Sequence, residues 1–165
     1  MKALNSEKLK TYIIEVIRIA IILIVIYILN SFVSSLPFVS SLNIFNEKIY
    51  LYEFISFIMM LLACFMIYEF SLRTRNTVDE MVVLIPGFGN IHSYSIYLIV
   101  IIIAYFSAYS IFLKFFGEDW LWSYNLIFLA FSLFYVAKIF IIFYKNSHTV
   151  SSNIVELMGY KDKKL

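Results

Sequence analysis

Cysteine, glycine, proline and charge are all scarce in this chain, and each shortage removes a class of protein. The 165 residues contain one cysteine, Cys64, set within an apolar run. A single thiol excludes an intrachain disulfide framework, a CxxC redox pair and a thiolate zinc site. Four glycines and two prolines exclude collagen-like and Gly- or Pro-rich low-complexity chains. Charged residues make up 15% of the chain and the formal net charge is +2, too small an excess to speak for nucleic acid, and no nucleic-acid partner is expected. No HExxH, GxSxG, Walker A or GxGxxG spacing occurs. The chain is therefore expected not to be an enzyme and to carry no cofactor.

Apolar surface is what the chain has in abundance. It is 62% hydrophobic and 19% aromatic, with a mean hydropathy of +0.88, where soluble domains average about 45–50% apolar and about 25% charged residues. A soluble domain of this size exposes too much of its surface to hide that excess. The composition predicts an integral membrane protein and excludes intrinsic disorder.

Four apolar runs, at about 16–35, 49–72, 93–116 and 121–144, are each long enough as helices to cross a hydrocarbon core of roughly 30 Å. Transmembrane strands alternate in polarity over about 9–11 residues, whereas these runs are apolar on every face. The predicted fold is an all-α integral membrane protein of one domain, 1–165, with four transmembrane helices in an antiparallel bundle and a tail at 145–165. Lys2, Lys8 and Lys10 precede the apolar stretch 19–29 in the layout of a secretory signal, which is read here as a signal anchor.

Lysine and arginine in short loops set orientation. Lys2, Lys8, Lys10, Arg73, Arg75, Lys145, Lys161, Lys163 and Lys164 fall on one side, against Lys48 and Lys114 on the other. Both termini are thus predicted to be cytoplasmic, with Trp120 and Trp122 at the outer interface and Tyr144 at the inner one. Enrichment in Ile, Phe, Tyr and Lys suits an AT-rich prokaryotic genome, so the expected location is a prokaryotic cytoplasmic membrane.

The connections carry further signals. Residues 34–39 and 40–45 form a near repeat in which Pro37 ends the first helix. Their apolar content predicts a loop held on the outer membrane surface or against a partner. Thr77-Val78-Asp79-Glu80 matches a capping box and predicts one or two turns of interfacial helix before a tight turn at 86–90. Phe116-Gly117-Glu118-Asp119 is short enough to force an antiparallel hairpin, with both acids at the positive end of the fourth helix.

Ionisable residues inside apolar spans are functional candidates by default. Glu15, Arg18, Glu69, Arg73, Arg75 and Lys138 are expected to make lipid or intrabundle ionic contacts near the inner leaflet. Lys138 either snorkels to the headgroups or pairs with Glu15 or Glu69. Glu53 and Glu69 lie about 160° apart around their helix and cannot share a face. Each is expected to anchor at an interface, Glu69 with Arg73 at i+4. Asn125 and Ser132 share a face of the fourth span and Lys138 does not. His92 and His148 could meet at the inner interface, but two histidines without a nearby carboxylate make a poor metal site, and none is expected. Tyr94, Tyr97 and Tyr105 are read as a packing stripe.

Small residues recur every seven positions at Ser123, Ala130 and Ala137, and at Ser56 and Ala63, while Ala104 and Ala108 are four apart. Such spacing lets transmembrane helices approach closely. The expected function is that of a non-catalytic polytopic subunit packing within a larger membrane complex, its partners being membrane lipids and either other subunits or further copies of itself. The alternative is a small oligomeric channel or transporter, its pore between subunits and lined by Glu53, Asn125 or Lys138.

Overall fold

The computed structural model describes residues 2–45, 48–83 and 85–157, the side chains of 2–5 and 156–157 excepted. Lys161, Lys163 and Lys164 of the predicted tail, and the side chain of Lys2, lie outside the described residues. The elements run α1 (Lys2–Ser34), α2 (Pro37–Ser41), β1 (Asn43–Ile44), β2 (Ile49–Tyr50), α3 (Leu51–Met81), α4 (Phe88–Phe116), a 3-10 turn (Glu118–Trp120) and α5 (Leu121–Leu157). α1, α3, α4 and α5 are each long and apolar enough to cross a membrane, and the fold is all-α apart from the two-residue strands.

These helices overshoot the apolar runs. α5 has 37 residues, about 55 Å of helix, where a hydrocarbon core asks for about 20 residues. α1 begins at Lys2, well before its apolar stretch. Hydropathy marks where a helix is greasy, whereas the backbone ladder runs on until proline, glycine or a better competing hydrogen bond stops it.

The same continuity corrects the reading of 77–80. No separate interfacial helix starts there, because α3 continues unbroken to Met81. Nothing between Leu72 and Met81 breaks a helix, so Thr77 never leaves helical geometry to act as a cap. The tight turn expected at 86–90 is cut short, because Gly87 at φ 75° ends it and N-caps α4, so that Phe88, Gly89 and Asn90 are already helical.

Main contacts join α1 to α3, α3 to α4 and α4 to α5, all antiparallel. Among the described residues no contact of similar extent joins α1 to α5. The bundle is thus an open row, and its accessible surface of 11889 Å² exceeds the roughly 8,500 Å² expected of a compact soluble monomer of this mass. α1 offers one face to the row, on which Tyr12, Glu15, Ile19, Ile22, Ile26 and Asn30 recur every three or four residues and are the more covered positions.

The 34–45 segment folds back over the α1–α3 junction. Pro37 occupies the first turn of α2, where its missing N–H is no loss. β1 and β2 pair antiparallel with Asn43 opposite Tyr50, and Val39 and Ile49 are fully buried. At the far turn, Gly117 takes φ 78°, a conformation that a side chain would strain, and the chain reverses directly into α5.

Candidate functional site

Three places in the row gather polar or ionisable side chains. The first is the end near the Pro86 turn, where the most deeply buried polar side chains, Ser71, Thr74 and Ser93, lie together between α3 and α4. Thr74 Oγ1 donates to the Phe70 carbonyl at 2.8 Å and Ser93 Oγ to the Ser71 carbonyl at 3.4 Å. A Cβ on Gly89 would strike the Arg75 carbonyl oxygen and stand 2.9 Å from Asp79 Cβ. Only glycine permits this approach, and the Gly89 N–H, one of the unpaired donors at the α4 N-terminus, donates to Asp79 Oδ1 at 3.0 Å. Asp79 therefore caps the helix after its own.

α1 joins this end through Tyr12. Its hydroxyl and His92 Nε2 are 3.2 Å apart, and both rings lie edge-on or tilted against Phe70. His92 Nδ1 is buried without a hydrogen-bond partner among the described residues, as is Asn30 Oδ1 further along α1. Lys8 pairs with Glu80. α5 adds Asn146, whose Nδ2 donates to the Pro86 carbonyl at 2.8 Å. His148 is exposed on α5 while His92 is engaged by Tyr12. Among the described residues no three His, Cys, Asp or Glu side chains gather as metal ligands.

Beside this junction Glu15, Arg18, Glu69 and Arg73 line a cleft between α1 and α3. Glu69 accepts from Arg73 Nε and Nη2 at 3.0 and 2.8 Å, the expected i,i+4 pair, and Arg18 stands 3.7 Å from Glu15. Two acids balance two arginines here. The cleft encloses about 20 Å³, room for a water rather than a ligand. Lys138 reaches neither acid. It is exposed, with Nζ 5.3 Å from the centre of the Phe134 ring, and Arg75 is likewise exposed.

The second place is at the opposite end. Lys114 Nζ grips both carboxylate oxygens of Glu53, tying α4 to the first turn of α3, and the Tyr50 N–H donates to Glu53 Oε2 at 3.2 Å. Side-chain exposures of 18% for Glu53 and 31% for Lys114 make this the most covered ion pair among those described. Phe45 packs edge-on against Phe54 and Phe115 beside it. Within one chain Glu53 is thus committed to Lys114 rather than open to a passing ion.

The third place lies between α4 and α5. Tyr97 meets Tyr135, Tyr105 meets Tyr124 and Phe128, and Phe112 meets Tyr124, with centroids 4.7–5.4 Å apart. The Tyr124 hydroxyl donates to the Tyr105 carbonyl. Where this ladder parts, a groove of about 440 Å³ opens, with Asn125 and Ser132 both on its wall. Tyr105 donates to Asn125 Oδ1 at 3.0 Å.

The small-residue positions divide. Ala63 is buried and Ser56 lies 3.4 Å from Ser34 of α1, so that pair faces a neighbour, whereas Ala130 and Ala137 are exposed among the described residues. Sequence reading missed the close approach to α3 of Gly89 and of Ser93 four residues on, because it began the third span at Ser93 and left Gly89 in a loop. The Gly-xxx-Ser spacing was the available signal. The partners Lys114 for Glu53 and Tyr12 for His92, separated by 61 and 80 residues, had none. Searches against protein-family models, curated proteins and solved structures find no family, protein or structure that matches this chain.

Proposed function

We propose that this chain is a non-catalytic polytopic membrane protein, both termini cytoplasmic, that packs as a subunit of a larger assembly in a prokaryotic cytoplasmic membrane. The observation that carries this reading is the open row. Among the described residues α5 has α4 as its one extensive neighbour, and its apolar stretch is not buried by them. A helix of that length with exposed Ala130 and Ala137 offers a surface on which a further transmembrane helix can sit closely.

The disposition of charge supports the same reading over a channel. Glu53, Glu69, Glu15 and Glu80 are each engaged by a lysine or arginine, and the pairs lie toward the two ends of the row. Between them the helices carry no continuous polar stripe, so a conducting path would have to arise between copies. Extraction in mild detergent from the native membrane is expected to bring unlike chains with this one, and the purified chain alone in liposomes is expected to give no ion or small-solute flux. Flux from the chain alone that Glu53→Gln or Lys138→Met alters in selectivity would overturn the subunit reading in favour of an oligomeric pore.

A further inference from the structure

We propose that the groove between α4 and α5 seats one acyl chain of an ester-linked membrane lipid, whose ester carbonyl accepts a hydrogen bond from Asn125 Nδ2. The proposal rests on the membrane-spanning reading of the four helices but not on the subunit role.

The mouth of the groove has one polar requirement. Asn125 Oδ1 is taken by the Tyr105 hydroxyl at 3.0 Å, which leaves the amide nitrogen as the free end of the side chain, and no described residue accepts from it. A primary amide facing hydrocarbon with unmade bonds is unfavourable, so its complement is an acceptor. Depth identifies which one. Asn125 lies four residues, about 6 Å, beyond Leu121, and the neighbouring Trp120 and Trp122 are exposed, as rings at headgroup level are. The interfacial layer on each side of a bilayer is roughly 5–8 Å thick. Asn125 therefore stands where headgroups give way to chains, which is where a glycerolipid carries its ester carbonyls.

Below that mouth the wall becomes apolar, formed by Ile101, Ile102, Phe128 and Leu129. Ser132 sits seven residues deeper, but its hydroxyl already donates to the Phe128 carbonyl at 2.8 Å. One donor at the top and a hydrocarbon shaft beneath match an ester carbonyl and its acyl chain. A partner helix fits less well, since its own amides consume its carbonyls.

The test compares a diacyl phosphatidylglycerol with its dialkyl ether analogue, identical in head and chains but lacking the carbonyls, by native mass spectrometry of the purified full chain. Wild type is expected to hold the ester lipid roughly three- to tenfold more tightly, the worth of one ordinary hydrogen bond. Asn125→Leu should lose that preference, and Ser132→Phe, which fills the shaft, should release both lipids. Equal retention of ester and ether lipids by wild type overturns the proposal, as does an ester preference that persists in Asn125→Leu. The first comparison uses unaltered protein and so stands whether or not a variant folds.

Discussion

The α3–α4 and α4–α5 seams join antiparallel helices of similar length, yet they are built from opposite ends of the size scale. At the first, Gly89, Ser93 and Ser71 let backbones touch, and the contact is completed by backbone-directed bonds such as Gly89 to Asp79. At the second, tyrosine and phenylalanine rings interleave, with Tyr124 4% exposed at the centre, and a groove remains beside them. Where the surroundings are themselves apolar, association draws on close packing and hydrogen bonds rather than on escape from water. Small residues supply that packing along the backbone. Rings supply it at arm's length and leave space between their edges.

The sharpest way to break this contrast is at Gly89. Gly89→Ala should lower the stability of the purified chain by about 1–3 kcal/mol, read from denaturant unfolding in mild detergent, because the new methyl meets backbone that has nowhere to go. A neutral result would mean that the α3–α4 seam is not held by backbone proximity. The aromatic seam should respond less. Tyr124→Phe keeps the ring and removes the hydroxyl bonded to the Tyr105 carbonyl, an expected loss of about 0.5–1.5 kcal/mol in the same assay. A loss as large as that at Gly89 would make the second seam a polar contact like the first. Smallest of all, Ala130→Leu and Ala137→Leu should change the isolated chain by less than about 0.5 kcal/mol, since both positions are exposed. Their effect should fall instead on the unlike chains that co-purify, and clear destabilisation of the isolated chain would place another helix over α5.

Periodicity and breakers made much of this legible in advance. Four helices, the stop at Pro37, the tight reversal at Gly117, the Glu69–Arg73 pair and the shared face of Asn125 and Ser132 all follow from spacing along one helix. What escaped was of another kind. A pattern of small residues says which face of α5 is smooth but not whether anything covers it, and Ala130 and Ala137 proved bare within the chain. The capping-box letters at 77–80 describe a helix start only if the preceding residues leave helical geometry, and α3 does not break there. Ion pairs such as Glu53 with Lys114 depend on the relative rotation of two helices, which neither run contains by itself. Asp79 is the instructive case, since a cap for one helix is stored in the last turn of the helix before.

The row order also bears on how the chain comes to its shape. Because α3 packs on α1, α4 on α3 and α5 on α4, each long helix after α1 finds a neighbour already made when it emerges from synthesis. Little loop-closure entropy stands against such successive contacts, and Asp79 reaches Gly89 across only ten residues. The described helices can therefore be assembled hairpin by hairpin in the direction of translation, with α5 joining after α4 and its far side left open within the row.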